Sequence, residues 1–332
     1  LINSPTYLYI KRHSALDKGK RWKLFLTAVI FTLILQLTAK APLSANDYLH
    51  ITDSGFTSLP TSVRAMGMGQ AFVAIADDYG ACYFNPAGLV QITQKELGTI
   101  YTDLYGLGLL KQSFLSFIEP TTGMGAGGIS WSRLSADLEP EKWNYDLYSY
   151  SYAQFLFQDK LTTSRKTFSS WGINIKYLKE TSPWGNASGY SLDVGFLTRG
   201  EKFSWGANIQ DLISQISWTT GRKESIPINI KLGTVYRFTP HLLTALDIDA
   251  SLQDLPKNIR LGSEWWVQRN IALRLGAVKT FQENADLTFS AGLGLYFPFQ
   301  NKKVISMIAF NYALSSQQNL ATTHYFSLSL GF

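Results

Sequence analysis

From Glu96 to the C-terminus the chain repeats one pattern: short segments in which apolar and polar residues alternate, about fourteen of them. They run at residues 95–104, 112–119, 124–134, 144–158, 168–179, 188–198, 202–213, 227–238, 242–250, 258–268, 271–280, 285–296, 303–312 and 322–332. A period of two places successive side chains on opposite faces of a strand. Trp171, Ile173, Ile175 and Tyr177 oppose Gly172, Asn174 and Lys176, and Tyr190, Leu192, Val194 and Phe196 oppose Ser191, Asp193 and Gly195. The last segment is the cleanest. Phe326, Leu328, Leu330 and Phe332 share one face, and Tyr325, Ser327, Ser329 and Gly331 the other.

Most segments are near ten residues, the length a tilted strand needs to cross a bilayer. One face of each suits lipid; the other, polar or small, suits a lumen. In lipid an open sheet edge leaves unpaired N–H and C=O groups at several kcal/mol each, so the sheet must close. The pattern therefore predicts an all-β protein: a closed antiparallel transmembrane β-barrel of about 14 strands. A soluble β-sandwich would carry more charge on its exposed faces. Pro120, Pro140, Pro183, Pro240, Pro256 and Pro298 fall between the segments and Pro227 opens one, so none interrupts a ladder. Trp143, Trp184, Trp218, Trp265 and Trp266 fall near segment ends, as an aromatic girdle requires. An aromatic-ended last strand, with Phe326, Leu328, Leu330 and Phe332, has the look of an outer-membrane barrel's assembly signal. This implies the outer membrane of a Gram-negative-type bacterium, its lipid and its barrel assembly machinery as surroundings.

The beginning of the chain differs. Leu24 to Thr38 is apolar apart from Thr27, Thr32 and Gln36, follows Lys18, Lys20, Arg21 and Lys23, and precedes Leu43-Ser44-Ala45. That is a secretory signal peptide, with cleavage expected near Ala45; the opening Leu1 reads as an upstream or non-Met start. The leader also explains the formal charge of +6: residues 1–45 hold seven of the 30 basic and one of the 24 acidic residues, leaving 23 of each. A neutral mature chain gives no electrostatic case for nucleic acid. The single cysteine, Cys82, excludes a disulfide framework and reads as a small buried apolar residue. His13, His50, His241 and His324 make no metal spacing, and no nucleophile elbow is present, so neither a catalytic residue, a metal nor a cofactor is expected.

Residues 57–90 break the alternation. Gly67, Gly69, Gly80 and Gly88 allow tight backbone turns, and Pro86 forbids a regular ladder. Such a segment ahead of the first strand is expected to fold into the lumen as a plug. The domains are then 1–45, leader; 46–94, plug; and 95–332, barrel. Asp77 and Asp78 are expected to accept hydrogen bonds from bases such as Arg64, Lys176, Lys231, Arg260 or Arg274, or else to cap turns. Asn174, Asp193, Asn208, Asp247 and Glu264 are the lumenal polar candidates.

The plug carries three runs, Arg64-Ala65-Met66-Gly67-Met68-Gly69, Ala71 through Asp77-Asp78, and Asn85-Pro86-Ala87-Gly88-Leu89, with Gln70 at a place where a third glycine is common. Together with the tail, Thr323-His324 and Ser327 to Leu330, they resemble the FadL-like barrels, most closely the PorV/PorQ branch. That resemblance implies protein secretion, with exported cargo bound at the outer membrane in a type IX-like system. Its alternative is a FadL-like channel in which a hydrophobic small molecule, such as a long-chain fatty acid, passes sideways through the wall and Asn85-Pro86-Ala87 belongs to the gate. A structural outer-membrane protein is the third reading.

Overall fold

Every period-two segment becomes a strand. The computed structural model describes residues 61–123, 125–138, 140–158, 167–183, 185–251, 257–281, 287–299, 305–317 and 320–332. The expected leader, the first part of the expected plug at 46–60, Trp184 and Pro256 lie outside the described residues. The strands are β1 Glu96–Leu104, β2 Leu110–Glu119, β3 Ala126–Leu138, β4 Glu141–Gln158, β5 Phe168–Ser182, β6 Gly185–Arg199, β7 Phe203–Trp218, β8 Lys223–Glu224, β9 Asn229–Thr239, β10 Leu242–Ser251, β11 Lys257–Gln268, β12 Ile271–Phe281, β13 Leu287–Pro298, β14 Met307–Gln317 and β15 Leu320–Gly331.

Each strand except the two-residue β8 pairs antiparallel with its neighbours in chain order, and β1 pairs with β15, Glu96 opposite Gly331. The result is a closed 14-stranded meander, with β8 a short addition to the end of β7. Closure removes both edges, and the outer face shows why it must. Ile129, Tyr150, Ile175, Leu275, Phe289 and Phe326 all stand exposed, an apolar belt that only lipid can cover. Both termini of the ring lie at one end, called here the terminal end; the other is the far end.

Four sequence expectations change. Pro298 is the last residue of β13, opposite Met307, rather than a loop residue. Trp143 lies inside β4, and Trp266 points inward and is buried, leaving only Trp265 of that pair on the lipid face. Strands β3 to β7 run several residues further toward the far end than the pattern indicates. Their continuation mixes polar residues such as Asp137, Glu180, Thr181 and Gln215 with isolated apolar ones, which hides it from a hydrophobic period.

The core is inside the ring. The plug contributes Met68, Phe72, Ile75, Tyr79, Phe84 and Leu89, packed against inward Ile100, Ile118, Phe168, Leu197 and Val235. Burying one such side chain stabilises by roughly 1.5–3 kcal/mol relative to exposure, so the plug is a packed second layer within the barrel.

Candidate functional site

The described part of the plug opens with helix α1, Val63–Gly67, capped by Ser62, whose Oγ accepts from the Ala65 N–H. This turn aims Arg64 into the densest charge cluster of the described residues. Its Nη1 donates to Asp77 Oδ1 at 2.6 Å, and Nε and Nη2 grip both oxygens of Glu264 on β11 at 2.7 and 2.8 Å. Glu264 accepts in addition from Arg274 Nε at 2.8 Å and Trp266 Nε1 at 3.2 Å. Arg274 goes on to Asn311 and Tyr296. The order Asp77, Arg64, Glu264, Arg274 alternates in sign, so the buried charges compensate. Of the bases expected to hold Asp77, Arg64 does so, and it lies on the plug itself. At the clamp to the wall the plug supplies the guanidinium and the barrel supplies the carboxylate.

Asp78 joins that chain only at its edge, its Oδ2 4.0 Å from Arg64 Nη1. Its oxygens accept from Ser62 Oγ at 3.0 Å and the Gly80 N–H at 2.8 Å, closing the plug on itself. Burial pushes its carboxyl up to about 6; Arg64 pulls the other way and Asp77 adds to the rise.

The rest of the seat is backbone. Asp247 Oδ2 on β10 accepts the consecutive N–H groups of Phe72 and Val73 at 2.7 and 2.8 Å, and the Gly69 N–H donates to Ser290 Oγ. Helix α2, Ala81–Phe84, ends at Asn85, where Nδ2 donates to Val73 O and Phe196 O and Oδ1 accepts the Ala87 N–H. A 3-10 turn follows over Pro86–Gln91. The free carbonyls of this stretch are taken from the wall: Cys82 O by Asn174, Phe84 O by Asn208, Tyr83 O by Gln210 and Ala87 O by Ser170. Main chain rests on inward glycines. A Cβ at Gly172 would lie 2.5 Å from Ala87 N, one at Gly206 2.7 Å from Val73 O, and those at Gly262 and Gly276 would strike Met68 and Gly69. Gln70 sits at φ 62°, the left-handed region glycine favours. Gly88 faces Ala76 with no space for a side chain. Cys82 is buried, as expected, with Ser116 Oγ against its sulfur.

The expected motif residues thus gather in one plug, and Asn174, Asp193, Asn208, Asp247 and Glu264 all face it or its surroundings. The tail set does not belong to this site. Phe326, Leu328, Leu330 and Phe332 lie on the outer face, with Glu96 to Tyr101 paired beside them. Two features escaped the sequence reading. The first is an apolar cluster toward the far end, where Leu147, Leu178, Ala187, Ile216 and Ile226 pack with Tyr145, Trp218 and the plug's Tyr83. Beneath it lies a polar band: Lys176 Nζ contacts Asp193 and Asp211 at 2.6 Å each, Arg260 pairs with Asp249, and Lys231 lies over the Tyr83 ring.

The second is a seam in the wall. Asp211 has φ 58°, and the β6–β7 register slips between Leu192 and Val194. Pairing of β7 with β9 stops at Gln210 opposite Asn229. Beyond that point Ser214 Oγ bridges to the backbone of Ile226, and β8 covers Ile216 and Ser217. The signal was present in Ile209-Gln210-Asp211-Leu212-Ile213, where the alternation breaks. No group of three or more His, Cys, Asp or Glu placed to hold a metal occurs among the described residues.

No protein-family model matches the chain, and no curated protein matches it. Solved structures do. It is similar to the CymD monoaromatic hydrocarbon channel, with TM-score 0.57 and 10% identity over 82% of this chain and 96% of that one. The toluene transporter TbuX of Ralstonia pickettii gives 0.52 and 11% over 82% and 98%, and the toluene transporter TodX of P. putida 0.52 and 12% over 80% and 98%. The chain shares the fold of these channels.

Proposed function

We propose that this chain is a FadL-like outer-membrane channel that takes hydrophobic small molecules from the far end of the barrel and releases them sideways through its wall. The observation that carries this reading is the seam. The pairing of β7 with β9 ends beside the apolar cluster of Leu178, Ile216 and Ile226, so an apolar ligand resting there faces a stretch of wall held by Ser214 and the short β8 rather than by a full ladder. The fold shared with three hydrocarbon and toluene channels supports it. The sequence reading ranked PorV/PorQ-type secretion first. The similar solved structures are channels, and the channel alternative takes its place; none of them speaks for exported cargo. In this reading the plug blocks straight passage, the Asn85-Pro86-Ala87 turn fastens it to β6 through Phe196 O, and Phe326, Leu328, Leu330 and Phe332 are read by the barrel assembly machinery.

The test is uptake of radiolabelled toluene and of a labelled long-chain fatty acid by cells carrying the protein in their outer membrane. Entry of one or both is expected to rise over cells lacking it and to fall in Ile216→Arg, while a small hydrophilic sugar shows no change. Equal entry of both apolar probes with and without the protein would rule the channel out.

A further inference from the structure

The outer faces of β3 to β6 carry two adjacent rows of different chemistry. Register places Trp131, Tyr148, Tyr177 and Tyr190 side by side across four strands, a continuous aromatic ladder. From Tyr148 down β4 to Phe157 is a strand length that, at ~3.3 Å per residue and ~40° tilt, spans about 23 Å. That matches the height of a barrel's apolar belt, so the ladder is the belt's upper rim at the far end. Two residues further out the next row reads Arg133, Asp146, Lys179 and Ser188.

This second row is built, not scattered. Arg133 Nε and Nη2 grip both oxygens of Asp146 at 2.8 and 2.9 Å, and Trp131 Nε1 adds a third bond at 3.0 Å. The guanidinium also lies 5.5 Å from the Trp131 ring centre. Asp146 is thereby covered, its side chain 7% exposed, whereas Arg133 remains 45% exposed. Lys179 stands opposite Asp146 on the other side and is exposed. Two cations share one carboxylate, so the row holds a net positive charge directly above an aromatic surface that lipid must cover. The nearby outward acids are engaged elsewhere: Asp103 with the Gly108 N–H and opposite Lys111, and Asp137 with Lys142. A cation at this depth is costly against hydrocarbon and stabilised by anionic headgroups.

We propose that this face is a binding site for a phosphorylated membrane lipid, its phosphate held by Arg133 and Lys179 and its acyl chains lying along the ladder of Trp131, Tyr148, Tyr177 and Tyr190. Arginine suits the fork geometry of a phosphate, and its bond to Asp146 orients it in advance.

The test is native mass spectrometry of the purified full chain in detergent, titrated with lipid A and with the same lipid stripped of its phosphates. Lipid A is expected to remain bound, and the dephosphorylated form to bind about thirtyfold more weakly, a factor of about five for each basic group near an anionic surface compounded over two. Lys179→Gln leaves the Arg133–Asp146 pair intact and is expected to weaken lipid A about fivefold. Arg133→Gln with Lys179→Gln should reach the full loss. Heat-modifiable gel mobility reports whether each variant keeps its barrel; if the double variant does not fold, the two lipids compared on the unaltered chain still decide. Equal binding of the two lipids, or unchanged affinity in Lys179→Gln, overturns the proposal. So does displacement of lipid A by inorganic phosphate, since the site would then hold an anion without recognising a lipid.

Discussion

Glu264 is the residue on which seating of the plug depends, and Glu264→Gln tests it with almost no change of shape. The carboxylate is fully buried and accepts four hydrogen bonds, two from Arg64, one from Arg274 and one from Trp266. An amide leaves one acceptor oxygen and turns an NH2 toward guanidinium donors. Arg64 keeps Asp77, but Arg274 keeps only neutral partners, Asn311 and Tyr296. Breaking one partner of a buried pair costs about 3–5 kcal/mol. The loss falls on the plug, because the barrel's ladder does not pass through Glu264's side chain. Cys82 gives a direct readout, since it is the only cysteine, sits in the plug and is buried. When opening limits access, maleimide labelling of Cys82 follows the population of the unseated plug, and 3–5 kcal/mol corresponds to roughly two to three and a half orders of magnitude in rate. Labelling of Glu264→Gln is therefore expected to rise by at least a hundredfold while heat-modifiable mobility and far-UV circular dichroism report an intact barrel. A wild-type labelling rate in a folded variant would refute the reasoning, and so would joint loss of plug and barrel.

The same thiol reads three further perturbations. The Asp78 carboxyl rises from 3.8 to about 6 on seating, so the seated plug binds a proton that the released plug gives up. Its contribution is therefore full below pH about 4 and is lost as pH rises through 6, about 3 kcal/mol in all; the ratio of wild-type to Asp78→Asn labelling should climb across that window, and a flat ratio sinks the assignment. Gln70→Gly relieves a left-handed side chain and should slow labelling several-fold, about 1 kcal/mol; faster labelling would contradict the strain. Gly276→Ala places a Cβ against the Met68–Gly69 backbone and should unseat the plug with the barrel intact, visible as rapid labelling with unchanged gel mobility.

The strand pattern was legible because lipid imposes period two on every crossing and the belt residues obey it, from Trp171 on β5 to Phe326 on β15. The plug was legible as a break in that period. Its partners were not. Glu264 lies in Ser263-Glu264-Trp265-Trp266, where nothing local distinguishes a lumenal clamp from a solvated acid; only closure brings Arg64 to it. The inward glycines looked like a polar or small face suited to a lumen. Gly172, Gly206, Gly262 and Gly276 are in fact where plug backbone touches wall, a relation set by three-dimensional approach and invisible in the alternation itself. The seam did leave a trace, since Gln210 and Asp211 both turn inward, yet a single slipped residue reads like an ordinary imperfection of the pattern until the missing β9 partner is seen.

The spacing of the plug's contacts along the chain bears on how the molecule is made. Arg64 meets Glu264 across 200 residues and Gly69 meets Ser290 across 221. A segment made before the barrel thus finds its receptor among strands of the barrel's second half. Contacts of such separation form late, after the chain entropy of a long loop has been overcome. Until β11 to β13 arrive, Arg64 and Gly69 have no wall partner to meet. Insertion of the cylinder and docking of its stopper are then successive events. A periplasmic escort that shields the exposed N-terminal stretch would govern the yield of sealed pores against leaky ones.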